Sequence, residues 1–293
     1  MSTGRGGYIG FNRVPAAAGV NSAASGVWSL REAEALKRAG TWPVVAPGNV
    51  GSGLQLWLDA SDASTLYDAT TGGSLVAADG LVARWEDKSG NARHATQATS
   101  GSRPMRKDAV QNGHNVLRFD GVNDLLQGSA TPGTGDARTV FIVSKYSGIV
   151  DADNGELLMI GLVASNSTSR GFLARGGQGS TASAVASDIT TNNINSSSVL
   201  TRTAFKVLAY REDSSTRSVA HWQNGTSYAT SGTLGAFNNM NAGYLVAARG
   251  NAAQANTGFF SGDIAEIIVY NSTLSDTDRA AVESYLMTKW ATT

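Results

Sequence analysis

Residues 82–126 read VARWEDKSGNARHATQ, then a polar spacer, then NVLRFDGVNDLL. Two short apolar segments, residues 81–85 and 116–119, each run straight into a cluster of Asp, Gly and Asn. The clusters are Asp87-Lys88-Ser89-Gly90-Asn91 and Asp120-Gly121-Val122-Asn123-Asp124. Glycine supplies positive φ, and Asp and Asn side chains bond their own backbone two residues on, so such clusters end strands in tight turns. Turn residues at fixed offsets from short apolar runs predict antiparallel β structure, not a helical or doubly wound fold.

The rest of the chain fits that expectation. Its 34 glycines and 16% charged residues suit many short strands joined by turns, and 41% apolar content is enough for a real core. The formal net charge is zero, and no run of Lys and Arg exceeds two residues, so nucleic acid is not an expected partner. There is no cysteine, which excludes disulfides, thiolate metal sites and thiol nucleophiles. No stretch approaches a membrane span, so no membrane insertion is expected. The opening MSTGRGGYIGFNRVP lacks a charged segment followed by an apolar one, so no secretory signal is expected there.

Two parts are predicted: an arm over residues 1–50 and a β domain over residues 51–293. In the arm, Ser29 followed by Glu32 is a capping box, which predicts a helix over 29–39 ahead of Trp42-Pro43. Tyr8, Ile9, Phe11, Trp28, Leu36 and Trp42 are too many large apolar groups for so short an arm to bury alone. They are expected to dock, on the domain itself or on a neighbouring subunit. In the domain, LQLWLDA opens a strand with Leu54, Leu56 and Leu58 on one face and Gln55 and Trp57 on the other. Further strands are predicted at 81–86, 115–119, 139–145, 157–163, 171–175, 204–211, 217–223, 243–248 and 259–270. At the C-terminus Ser275 and Asp278 form a second capping box. Val282, Tyr285, Leu286 and Trp290 make an apolar stripe, with Asp276, Arg279, Glu283 and Lys289 expected mostly on other faces.

The patterns W-x-D-x-SGN-x-x-HA (from Trp85) and RFDG-x-ND-x-L (from Arg118) resemble recurrent early segments of the concanavalin A-like lectin/glucanase superfamily, laminin-G-like domains included. The resemblance returns at GDIAEIIVYNSTLSDTDRAAVESYLMTKW, residues 262–290, so it frames most of residues 54–290. It implies an all-β fold, an antiparallel jelly-roll sandwich with the C-terminal helix packed on it. Function does not follow, because this fold hosts sugar binders, glycanases and adhesive modules alike. Within the arm, VWSLREAEALKRAGTWP is similar to segments near the start of structural proteins of tailed phages, notably marine and cyanobacterial ones. That resemblance implies a virion protein assembled in the host cytoplasm, a homo-oligomer on the particle that meets other virion proteins through its arm.

Motifs that carry chemistry are sparse in the sequence. Glucanases of this fold carry E-x-D-x-x-E on one strand, and no such run occurs. Asp263 and Glu266 are three apart, an odd offset that along a regular strand sends two side chains to opposite faces. His94, His114 and His221 have no partner at metal-ligand spacing. The chain is therefore expected not to be an enzyme. Ligand contact is expected at the acidic loop holding Asp151 and Asp153, and at Trp222 and Tyr228, which flank an Asn224-Gly225 hairpin turn and offer aromatic surface to a sugar. Host glycans are the expected ligands. No cofactor is expected, with calcium at the 151–156 loop as the alternative. Three readings stay open: a phage decoration, fibre or adhesin subunit, a stand-alone bacterial carbohydrate-binding module, and a glycan-cleaving enzyme whose carboxylates come from separate strands.

Overall fold

The structure is a computed structural model that describes residues 47–50, 52–133, 137–147, 155–161, 172–175, 204–213, 215–216, 218–231, 243–251 and 254–293. Strands β1 (Leu54–Asp59), β2 (Leu66–Tyr67), β3 (Arg84–Trp85), β4 (Ala95–Thr96), β5 (Met105–Gln111) and β6 (His114–Asp120) come first. They are followed by β7 (Leu126–Gly128), β8 (Arg138–Tyr146), β9 (Glu156–Ile160), β10 (Phe172–Arg175) and β11 (Lys206–Asp213). The last are β12 (Ser218–Gln223), β13 (Thr226–Ser231), β14 (Tyr244–Val246), β15 (Arg249–Asn251), β16 (Gln254–Thr257) and β17 (Ser261–Tyr270). Helix α1 (Asp276–Trp290) closes the described chain.

The strands form an all-β sandwich. One sheet has the order β13-β12-β11-β8-β17-β6-β5, with β1 also paired to β17, and the other runs β10-β9-β14-β7-β4-β3-β2. All pairings in both sheets are antiparallel. Between the sheets lies a core that includes Leu56, Leu58, Leu117, Phe119, Leu126, Ile142, Tyr244, Ile264, Ile267 and Val269. The outer face of the first sheet is buried as well. Trp57, Val116, Phe141, Ile268 and Tyr270 pack there with Val282, Leu286 and Trp290 of α1. The alternation read from LQLWLDA holds for Leu56 and Leu58 between the sheets and Trp57 beneath the helix, but Leu54, expected beside the other two leucines, packs on the helix side, because the β1–β17 register shifts between Leu54 and Leu56.

The first turn cluster works by anchoring. Asp87 accepts from the backbone N–H groups of Trp57, at 2.9 Å, and of Ser89 and Arg93, so one carboxylate ties the loop to β1. Asn91 donates to the carbonyl of Leu54, and His94 Nδ1 accepts from the Asp87 N–H. In α1 the Ser275 N-cap forms as expected: its Oγ accepts from the Asp278 N–H at 3.1 Å, and the Asp278 carboxylate accepts from that hydroxyl at 2.8 Å. The charged residues of α1 depart from expectation. Arg279, Glu283 and Lys289 turn inward, because the sheet beneath presents partners for them, as described below.

Candidate functional site

The second turn cluster builds one wall of a cleft. Asp120 Oδ1 accepts from the N–H groups of Val122, Asn123 and Asp124, and Asp124 Oδ2 accepts from the Asp120 N–H. Gly121 sits at φ +78 in this turn, and a Cβ there would lie 2.6 Å from the Ser261 Cβ. The turn leaves Asn123 exposed beside Leu125. Burial, followed by the negative charge of Asp120, pushes the Asp124 carboxyl up to about 6.

Side-chain alternation supplies the floor. Ala95 and Leu126 point into the core between the sheets, so their neighbours Thr96 and Gln127 face outward from the second sheet. Leu125, Met159, Leu245 and Ala248 form a small apolar cluster with the partly buried Phe259 packed against it. Leu125 and Phe259 from this cluster, with Thr96, Gln97, Ala98, Thr99, Ser102, Asn123, Gln127 and Ser129, surround a cleft of about 550 Å³. The Gln97 side chain braces the wall, donating to the carbonyl of Leu125 and accepting from the Thr99 N–H. Gln127, Asn123 and Ser129 are exposed, and their side-chain donors and acceptors face solvent.

A second polar cluster is sealed beneath α1. Asp59 and Glu266 are register partners across β1 and β17, 3% and 1% exposed. Lys289 Nζ lies 2.7 Å from a carboxylate oxygen of each, and Lys88 Nζ lies 3.0 Å from Asp59. Glu266 also accepts from the indole N–H groups of Trp57 and Trp290, at 2.7 and 2.8 Å. The two carboxyls diverge. Burial raises Asp59, but Lys289 and Lys88 together outweigh it and hold it below its ordinary value. Burial and the charge of Asp59 raise Glu266, and Lys289 offsets only part of this.

The expectation for Asp263 and Glu266 is corrected here. The β17–β8 register shifts between Ile264 and Glu266, a bulge. Ile264 and Ile267 both face the inter-sheet core, while Ala265 faces α1 and Glu266 bonds Trp57 and Trp290 on that same side. Asp263, next to inward-facing Ile264, also lies on the outer face, where Arg118 holds it with two bonds at 2.7 and 2.9 Å. One extra residue in the strand thus puts both carboxylates on one face. The carboxylate pair from separate strands, Asp59 with Glu266, escaped the sequence reading because its members are 207 positions apart in numbering and meet only through strand pairing.

Of the residues singled out in the sequence, Asp151 and Asp153 lie outside the described residues, as do Tyr8, Ile9, Phe11, Trp28, Leu36 and Trp42. Tyr228 falls in β13. Trp222 is 9% exposed and packs under α1, with the guanidinium carbons of Arg279 and Arg211 at 4.2 and 5.1 Å from its ring centre. Its ring is occupied by the protein's own cations, and it does not line the cleft. Among the described residues, no group of three His, Asp or Glu is arranged to hold a metal ion.

No protein-family model matches the sequence, and no curated protein matches it. Solved structures do. Domain 4 of a GH43 extracellular arabinanase from Geobacillus stearothermophilus, solved with arabinotriose, matches at a TM-score of 0.54 and 11% identity. The match covers 79% of this chain and 98% of that one. A Trypanosoma rangeli sialidase in complex with sialic acid matches at 0.52 and 13% identity, over 83% of this chain but only 35% of that one. The binding domain of Paraclostridial Mosquitocidal Protein 1 matches at 0.52 and 9% identity, over 84% of this chain and 56% of that one. At such identities the likeness establishes the fold, an all-β sandwich. It also overturns the expectation of a non-enzymatic chain: one neighbour is a domain of a glycoside hydrolase and another is a sialidase, at low identity and, for the sialidase, with partial coverage.

Proposed function

We propose that this chain is a sugar-binding domain of the concanavalin A-like sandwich class, and that its ligand lies in the cleft on the outer face of the second sheet. The cleft carries the proposal. Sugar hydroxyls both donate and accept, and the carboxamides of Gln97, Asn123 and Gln127 offer both functions along one groove. Phe259 supplies an apolar surface for a C–H face of the ring. The arabinanase domain, nearly all of which this chain covers, was solved with a bound trisaccharide, which supports the reading.

The test is calorimetric titration of the full chain with arabinotriose and a panel of plant and microbial trisaccharides. Gln127→Ala and Asn123→Ala should each weaken binding about tenfold, the loss of about one hydrogen bond, without moving the melting temperature. Unchanged affinity in both variants would remove the cleft from consideration.

Display of the domain on a phage particle is a second proposal, resting on the large apolar residues of the arm. Deleting residues 1–50 should then abolish incorporation into particles while leaving sugar binding intact. Normal incorporation of the truncated chain would refute it.

A further inference from the structure

We infer that the cleft selects uncharged oligosaccharides and rejects those bearing carboxylates, an inference that rests on the sugar-binding reading above. Every described side chain lining the cleft is uncharged: hydroxyls, carboxamides, one Ala, one Leu and one Phe. Two charged groups beside it, Arg103 and Asp120, are engaged by backbone groups. Arg103 donates to the carbonyls of Gln97, Ala98 and Asp68, so its guanidinium is engaged by the backbone, and its side chain is not among the cleft lining. Asp120 is occupied by three backbone N–H groups of its own turn.

The local field is also unfavourable to anions. Asn123, the wall residue, sits in a turn between two carboxyl groups, Asp120 and Asp124. A sialic acid or uronate entering the cleft would leave water for a site with no cation among its described lining residues and with Asp120 and Asp124 in the adjoining turn. An unpaired charge taken out of water is strongly disfavoured. A neutral hydroxyl loses far less, because each bond to water is replaced by one to a carboxamide or hydroxyl. Recognition of carboxylates elsewhere relies on bidentate Arg, and no Arg is among the described residues that line this groove.

The experiment titrates the full chain with arabinotriose and other neutral trisaccharides, and in parallel with sialyllactose and trigalacturonate, at low and high ionic strength. The expected result is neutral binding that salt leaves unchanged, since no charge pair is there to screen. The acidic probes should bind at least tenfold more weakly, and Gln127→Arg should strengthen trigalacturonate binding about tenfold. Equal or tighter binding of the acidic probes to the unaltered chain overturns the selectivity while leaving sugar binding in place. Binding of neither class, in any condition, overturns the sugar-binding reading and the selectivity with it.

Discussion

Asp59 and Glu266 stand side by side across β1 and β17, and the ammonium of Lys289 lies 2.7 Å from each. The lysine comes from the last turn of α1, so this contact fastens the helix to the sheet. Paired buried charges contribute little net stability, but a buried charge left without its partner is costly. Lys289→Met should therefore lower the free energy of unfolding by about 3–5 kcal/mol. Adding Glu266→Gln should recover part of the loss, because one of two facing carboxylates becomes neutral. Urea unfolding of the single and double variants checks this. A single variant as stable as the parent would show that the cluster does not hold the helix.

His221 gives a prediction with a definite pH window. It is 2% exposed, neither ring nitrogen has a hydrogen-bond partner among the described residues, and the Tyr210 ring packs against it with centroids 5.3 Å apart. Burial pushes the imidazole down from 6.5 to about 4. Above the ordinary histidine value the ring is neutral in both the folded and unfolded chain, and its contribution is constant. As pH falls from about 6.5 towards about 4, the unfolded chain takes up a proton that the folded chain refuses, and stability is lost. The loss amounts to roughly 3 kcal/mol. His221→Phe, which keeps the ring packing, should flatten the stability profile across that window. An unchanged profile would place the acid sensitivity elsewhere.

Gly128 tests how the cleft floor is positioned. It is the register partner of Tyr244 across β7 and β14, and a Cβ on it would lie 1.9 Å from the tyrosine ring. That ring is fixed by its hydroxyl, which donates to the carbonyl of Arg93 at 2.6 Å. Gly128→Ala should cost about 3 kcal/mol through overpacking. It should also weaken sugar binding, since Gln127 is the next residue of the same strand. Thermal melting with a parallel titration measures both effects.

What the sequence made legible was local. The Ser275–Asp278 cap, the Asn224-Gly225 turn and the long final strand depend on neighbours a few residues apart, and all three are present. Strand β5 lies in the stretch that reads as polar spacer, because MRKDAVQ has no two-residue alternation, and the strand lies at a sheet edge with little of it buried. Its signal was the Asn112-Gly113 pair, both at positive φ, which turns β5 into β6. Arg279, Glu283 and Lys289 read as solvent-facing because helical periodicity assigns charges outward. Only the fold brings Asp59 and Glu266 beneath Lys289, and Arg279 pairs with Glu283. The cleft was illegible for another reason. It gathers common Thr, Gln, Ser and Asn residues from 96–102 and 123–129 with Phe259, and none of them has a distinctive spacing.

The central claim, that the outer face of the second sheet is where sugar binds, is tested most directly by nuclear magnetic resonance. Arabinotriose would be titrated into the isotopically labelled full chain, following backbone amides and the side-chain carboxamides of Gln97, Asn123 and Gln127. The account predicts shifts centred on those three carboxamides and on the amides of Thr96, Thr99 and Phe259, with α1 unmoved. Shifts centred instead on Trp222 and α1, with the cleft silent, would contradict it.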